Sequence, residues 1–127
     1  MELSTRGTTM FFLTDAEWGK WLSMREEDSS LVGECLLTKH GYFLTSITKL
    51  YIQPVHRKKG NGSKLLAEAV RRCTTPCIIA TVREDNGGWV ETNRKLGFRE
   101  VGRFEHSGHW VKVFFRTKVS MLDEDSR

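Results

Sequence analysis

The feature that most constrains the fold is a succession of strand, helix and strand patterns over residues 42–82. Tyr42–Gln53 is rich in β-branched and aromatic residues, and Ser63–Cys73 spaces its apolar residues along one face of a helix. Cys77–Val82 is short and apolar, as expected of a strand that is buried on both faces. A helix between two such strands favours a crossover connection, and therefore a sheet that contains parallel strands.

The flanking segments predict further strands and two more helices. Met10–Leu13 favours a short strand. Thr14 and Glu17 then have the spacing of a capping box, which predicts a helix that fades near Asp28. Strands are predicted at Leu31–Thr38, Phe98–Phe104 and His109–Thr117, and a short helix after Gly87 that ends at Leu96. We therefore expect an α/β (α+β) fold with a mixed sheet of about six strands and helices on both faces.

Size and composition predict one folded domain. The chain has 127 residues, of which 39% are hydrophobic, and no stretch approaches the ~18 apolar residues that cross a bilayer. The start lacks the pattern of a secretory signal, and three cysteines do not resemble a disulfide framework. We expect a cytoplasmic protein with no membrane contact, a single domain over residues 1–127 and a flexible acidic tail at about 120–127.

Positive charge is concentrated in one segment. The net charge is +4, but residues 57–72 hold six Lys and Arg residues against the single acid Glu68. A local positive field favours a polyanionic ligand, although a solvated helix face explains such a cluster equally well.

A glycine-containing loop lies in this basic segment and leads directly into a helix. Pro54 ends the preceding strand, and the loop that follows contains Arg57, Gly60 and Gly62. Glycine lets the backbone approach a ligand closely, and the unpaired amides of a helix N-terminus attract anions. The loop lacks the Lys-Ser/Thr ending of a P-loop and the third glycine of a dinucleotide-binding turn. We interpret it as a phosphate cradle of another kind.

Three motifs resemble the GNAT N-acetyltransferase superfamily. Arg57–Gly62 matches the signature Arg/Gln-x-x-Gly-x-Gly/Ala, and Leu50–Pro54 is similar to the strand before it. Asn86–Phe98 fits the second motif, which begins with asparagine and ends in Lys-x-Gly-Phe. Gly108–Val113 is similar to a phrase of phosphinothricin-acetyltransferase-like members. The resemblance covers roughly residues 31–117.

The resemblance implies a site for acetyl-CoA between two parallel strands that splay apart, here within 42–53 and 77–82. In such enzymes the pantetheine arm follows the first strand, the pyrophosphate lies on the amides of the glycine loop, and a free amide near Leu50 polarises the thioester carbonyl. The acceptor amine attacks directly, without a covalent intermediate on the protein. The implied cofactor-binding residues are Leu50, Tyr51, Ile52, Arg57, Lys58, Lys59, Gly60, Asn61, Gly62, Ser63 and Asn86.

The chain departs from the family pattern where the proton chemistry occurs. Asn93 stands where many members have a tyrosine that protonates the leaving thiolate, and it is the one candidate catalytic residue that the resemblance gives. An amide donates a hydrogen bond but gives up no proton near neutral pH. Many members also have a glutamate base near Ser46 or Ile47, where this chain has no carboxylate. A water chain, an amine of lowered pKa, or the side chain of His40, Glu84 or Asp85 is left to take the proton.

The sequence before the signature loop is shorter than in typical members, and the missing elements usually wall the acceptor site. An open groove suits a protein or other large acceptor, and a homodimer is compatible with it.

These observations predict an N-acetyltransferase that moves acetyl from acetyl-CoA to a primary amine. The acceptor is a small molecule or a protein, and no metal is expected, since Cys73, Cys77, His106 and His109 fit zinc-finger spacing poorly. The alternative is a weak or inactive GNAT-fold module that binds CoA and contacts a protein or nucleic acid. A plain nucleic-acid binder would explain neither the glycines nor Asn86.

Overall fold

The computed structural model describes residues 9–118, in which seven strands form one sheet with two α-helices. The strands are β1 (Thr9–Ala16), β2 (Gly19–Glu26), β3 (Leu31–His40), β4 (Leu44–Ile52), β5 (Cys77–Arg83), β6 (Arg99–His106) and β7 (His109–Thr117). The helices are α1 (Asn61–Arg72) and α2 (Gly87–Lys95), and Pro54–His56 forms one turn of 3-10 helix. The strand order in the sheet is β1-β2-β3-β4-β5-β7-β6. The predicted α+β class is confirmed. The acidic tail lies outside the described residues.

The helix predicted after Thr14 is wrong, because Gly19–Glu26 is strand β2. β2 pairs antiparallel with β1 through a tight turn and with β3 on its other side. Leu22 and Met24, two residues apart, are 0% exposed and belong to the core. Burial of both side chains in a doubly paired strand outweighs the local capping signal, since tertiary packing routinely overrides helix propensity. The sheet therefore has seven strands instead of six.

The other predicted elements are confirmed with shifted ends. β4 begins at Leu44, because Tyr42 and Phe43 lie in the exposed turn after β3. α1 begins at Asn61, two residues earlier than predicted. Gly60, in a left-handed conformation with a φ of +82°, is the residue immediately before the helix.

Both helices pack on the same face of the sheet, so the expectation of helices on both faces is wrong for residues 9–118. α1 contacts β3 and β4, α2 contacts β5, and the two helices contact each other. The core lies between them and the sheet, where Leu22, Ile47, Leu66 and Ile78 are fully buried. On the opposite face, apolar side chains such as Trp21 are only half-buried. This open face follows from the direct β1–β2 turn, which leaves no helix to cover it within residues 9–118.

Candidate functional site

A cleft opens where the parallel strands β4 and β5 part. Their pairing runs from Leu44 with Cys77 to Ile47 with Ala80, and it ends there although β4 continues to Ile52 and β5 to Arg83. The cleft has a volume of about 550 Å³. Its lining residues are Thr48, Lys49, Leu50, Thr81, Val82, Arg83, Asn86, Trp89, Phe104, His106 and Val111. Backbone groups on such unpaired strand edges are a template for hydrogen bonds to an extended ligand.

A bulge in β4 lies beside the point of separation. Lys49 has a φ of +55°, which is rare for a residue with a side chain, and the register between β3 and β4 shifts at the same level. A bulge bends the strand and increases its local twist. It therefore turns the end of β4 away from β5 and gives the cleft its width.

Arg57 holds the glycine loop against the end of β4, and Asn61 makes a hydrogen bond across the loop itself. The Arg57 Nε atom donates a hydrogen bond to the Ile52 carbonyl at 2.8 Å, and the guanidinium lies 5.4 Å from the centre of the Tyr51 ring. Asn61 Nδ2 donates to the His56 carbonyl at 2.9 Å. These side chains fix the shape of the loop.

The loop leads into a helix N-terminus whose amides are free of side-chain caps. Gly60 precedes α1 with a φ of +82°, a left-handed conformation that glycine adopts without strain. No side chain caps this end, and no acidic residue lies in the first turn. The amides of the first turn have no partner within the helix, and the helix dipole adds positive potential there. This end of α1 can accept an anion.

Gly62 of α1 lies against the Trp89 ring of α2. A Cβ atom built at Gly62 would lie 3.5 Å from the Trp89 ring, which is ordinary contact distance and leaves little room for anything larger. Trp89 also lines the cleft. The glycine loop and the cleft are thus joined through one aromatic side chain.

Fewer basic side chains contribute positive charge around the loop than the sequence indicates. Arg71 and Arg72 both hydrogen-bond Glu68, each with one contact of 2.6 Å. Burial raises the pKa of Glu68, but these hydrogen bonds outweigh it and the net pKa is lowered. The guanidinium groups of Arg71 and Arg72 are therefore paired with Glu68. The positive potential at the loop comes from its exposed lysines, Lys58 and Lys59.

An acidic turn faces this loop, which the sequence analysis missed. Residues 26–28, at the end of β2 and the start of the turn that follows it, share a surface depression with His56, Lys59 and Lys64. Glu26 Oε2 lies 3.9 Å from His56 Nδ1. The acidic run is visible in the sequence, but the pairing of β2 with β3, and of β3 with β4, is what brings it beside residues some thirty positions further on.

The two asparagines of the second motif have different environments. Asn86 is exposed at the cleft, and its Oδ1 accepts a hydrogen bond from the Trp89 amide at 3.3 Å, which caps α2. Asn93 is 0% exposed. Its Nδ2 donates to the Trp89 carbonyl at 2.9 Å, and within residues 9–118 no partner reaches its Oδ1. Asn93 supports α2 from the interior and is not among the residues that line the cleft.

Of the three side chains considered as proton acceptors, two are in ion pairs. Glu84 lies 3.2 Å from Arg103 and 3.6 Å from Lys112. Arg83 contacts Asp85 at 2.7 Å, and its hydrogen bonds lower the pKa of Asp85. His40 instead lies 3.0 Å from the Ser46 hydroxyl, measured from Nε2 to Oγ.

The cysteine and histidine residues weighed as zinc ligands do not converge. The thiol of Cys73 donates to the Ala69 carbonyl, and burial raises its pKa to about 11. His109 Nδ1 lies 3.0 Å from an Arg83 nitrogen instead. Over residues 9–118, no three His, Cys, Asp or Glu side chains are grouped so as to hold a metal ion. In the same range, neither helix has the length and apolar character needed to cross a membrane.

Comparison with known proteins identifies the family. The family model described as the acetyltransferase (GNAT) family matches residues 3–98. The chain therefore belongs to the GNAT acetyltransferase family, as its motifs predicted.

One relative with an assigned activity is the L-methionine sulfoximine/L-methionine sulfone acetyltransferase of Salmonella typhimurium. It is 27% identical over 82 residues, which cover 59% of this chain and 48% of that protein. The chain thus spans about half the length of this relative.

Solved structures share the fold at low identity. A GNAT family acetyltransferase from Elizabethkingia anophelis with acetyl-CoA bound has a TM-score of 0.74 at 10% identity, covering 87% of this chain and 99% of that one. A spermidine N-acetyltransferase mutant from Vibrio cholerae has a TM-score of 0.71 at 18% identity, covering 84% and 68%. These likenesses show a common fold.

Proposed function

We propose that the protein transfers the acetyl group of acetyl-CoA to a primary amine. The observation that carries the proposal is the position of the cleft, which lies between the parted strands β4 and β5 and beside the uncapped N-terminus of α1. Membership of an acetyltransferase family and the acetyl-CoA bound to the Elizabethkingia neighbour support it.

In this proposal the phosphates of CoA lie on the amides of residues 58–63, with Lys58 and Lys59 supplying positive charge and the Ser63 hydroxyl a further donor. The side chains of Arg57 and Asn61 are hydrogen-bonded within the loop, so their part is to hold it in shape. The pantetheine arm follows the free edge of β4 at Leu50, Tyr51 and Ile52, and Asn86 bonds its amide groups from across the cleft.

The reaction needs position and proton handling. The neutral amine attacks the thioester carbonyl, an N–C bond forms, the C–S bond breaks and CoA leaves as a thiolate. A backbone amide near Leu50 stabilises the negative charge that develops on the carbonyl oxygen. Asn93 contributes by holding the first turn of α2 rather than by giving a proton, because its one engaged group is an amide donor. The thiolate takes its proton from water in the open cleft.

The test combines binding and turnover. Acetyl-CoA at 100 times its dissociation constant stabilises a protein that binds it only when folded by about 2.7 kcal/mol, which a melting experiment detects. Release of free thiol from acetyl-CoA, followed with a panel of primary amines, measures transfer. We expect both signals in the natural protein and neither with Gly60→Glu, which puts a negative charge at the phosphate position.

Gly41→Glu is the matched control. Gly41 has a φ of +71°, and a Cβ atom built there, as at Gly60, has no other atom within 4 Å. The substitution therefore adds the same backbone strain and the same charge. Gly41 lies before β4 and Gly60 lies after it, so the two glycines are at opposite ends of that strand. Acetyl-CoA binding should survive in Gly41→Glu. A melting shift without thiol release would favour the alternative of a CoA-binding module, and no shift at all would refute the cofactor assignment.

A further inference from the structure

We propose that His40 and Ser46 form a relay that takes the proton from the acceptor amine. The inference rests on the proposed acetyl transfer and adds the group that receives the proton. Nε2 of His40 lies 3.0 Å from the Ser46 hydroxyl, and this hydrogen bond joins the end of β3 to β4.

The pair lies on the sheet face that leads to the cleft. Ser46 and Thr48 are two residues apart in β4, so their side chains point to the same face. Ser46 pairs with Ile79 in the neighbouring strand, and Thr81, two residues further, lines the cleft together with Thr48. This is the face that neither helix covers, so the Ser46 side chain and the cleft lie on the same side of the sheet.

The burial of the two residues suits a relay. Ser46 is 7% exposed, which keeps its hydroxyl in place, whereas His40 is exposed and can pass a proton to solvent. Ser46 and Thr48 lie roughly 6.6 Å apart along the strand. One bridging water, which spans about 5.5 Å between two partners, therefore connects Ser46 to an amine bound beside Thr48.

The rival carboxylates are held by positive charges. Glu84 is paired with Arg103 and Lys112, and Asp85 with Arg83, so the carboxylates of both residues are already engaged by positively charged donors. A neutral imidazole has a nitrogen that can accept a proton, as a general base must.

The steps balance without a further reactant. The Ser46 hydroxyl donates to the neutral Nε2 atom of His40, which leaves the lone pairs of Oγ facing water. As the amine attacks, its proton passes to the bridging water, the water gives a proton to Oγ, and Oγ gives its own proton to Nε2. The imidazolium then loses a proton to solvent from Nδ1. Proton exchange with solvent returns the exposed ring to the tautomer that carries its proton on Nδ1, so both His40 and Ser46 are restored.

The test separates proton transfer from mere support of the sheet. His40→Gln retains a side chain that can hydrogen-bond Ser46 but cannot take up a proton at neutral pH. General-base catalysis contributes roughly 100- to 10,000-fold. We expect His40→Gln and Ser46→Ala each to lower kcat by about 100-fold or more, with the KM for acetyl-CoA and the melting temperature nearly unchanged.

Two rescues complete the test. Added imidazole should restore part of the turnover in His40→Ala but not in Ser46→Ala, and Ser46→Thr, which keeps the hydroxyl, should remain active. Natural kcat in His40→Gln, or a loss in His40→Ala that imidazole leaves unchanged, would overturn the relay while acetyl transfer stands. Absence of thiol release from the natural protein with every amine would instead refute the proposed function.

Discussion

Replacing Gly60 and Gly62 with alanine should change stability in opposite directions, although both glycines belong to the same loop. Gly60 has a φ of +82°, and a Cβ there meets no atom within 4 Å, so the only cost of alanine is backbone strain. A left-handed residue with a side chain costs roughly 1–2 kcal/mol. Gly62 lies within α1 and its Cβ would meet the Trp89 ring at 3.5 Å, an ordinary contact.

Alanine at Gly62 restricts the unfolded chain and fits the helix, which stabilises by about 0.4–1 kcal/mol. With an unfolding entropy of about 2.1 cal/mol/K per residue, 1 kcal/mol corresponds to roughly 4 °C in a chain of this length. We therefore expect Gly60→Ala to melt about 4–8 °C below the natural protein, and Gly62→Ala at or slightly above it.

Urea unfolding at equilibrium measures both free energies, and Gly41→Ala supplies the control. Gly41 has a φ of +71° and equally open surroundings, so Gly41→Ala should lose a similar free energy of unfolding. Acetyl-CoA should still stabilise Gly41→Ala and Gly62→Ala, but stabilise Gly60→Ala less, since strain there reorients the loop amides. The reasoning fails if Gly60→Ala is as stable as the natural protein, or if Gly62→Ala is the less stable of the two.

Three further predictions concern the charged side chains and Asn93. Neutralising Lys58 and Lys59 together should raise the KM for acetyl-CoA and leave the KM for the amine unchanged, as measured by steady-state kinetics. If the acetyl-CoA KM stays the same and the substitutions instead weaken a steeply salt-dependent binding of nucleic acid, the alternative function is favoured. Asn93→Leu removes an amide whose Oδ1 has no partner within residues 9–118, so we expect the free energy of unfolding to change by less than about 1 kcal/mol. Turnover should persist. A loss of kcat of about 100-fold at constant cofactor affinity would show instead that the amide is catalytic. The pKa of Glu68 is lowered in the folded protein, so its ion pairs stabilise the fold at pH values above the ordinary pKa of 4.5, and this stabilisation is lost as the pH falls below that value. Glu68→Gln should therefore flatten the acid part of the pH–stability curve in thermal melts. An acid part that is the same in Glu68→Gln and the natural protein would contradict the assignment.

Local patterns were sufficient for the segment that defines the family. The strand before Pro54, the glycine loop and α1 are adjacent in sequence, and each is specified by its own residues: a β-rich run, glycines where the backbone needs them, and apolar residues at helical spacing. The predicted helix after Thr14 failed because the spacing of Thr14 and Glu17 carries no information about β3, the strand that β2 joins.

The sequence by itself determined the class of fold, the glycine loop that leads into α1, and the family, because these depend on short-range periodicity and on motifs of consecutive residues. Only the tertiary structure decided which groups are free to act. The Arg71 and Arg72 side chains are committed to Glu68, Asn93 is enclosed beneath Trp89, and His40 meets Ser46 across two strands. Burial and pairing of this kind arise between residues that are brought together when strands pair and helices pack, and no local pattern along the chain encodes them.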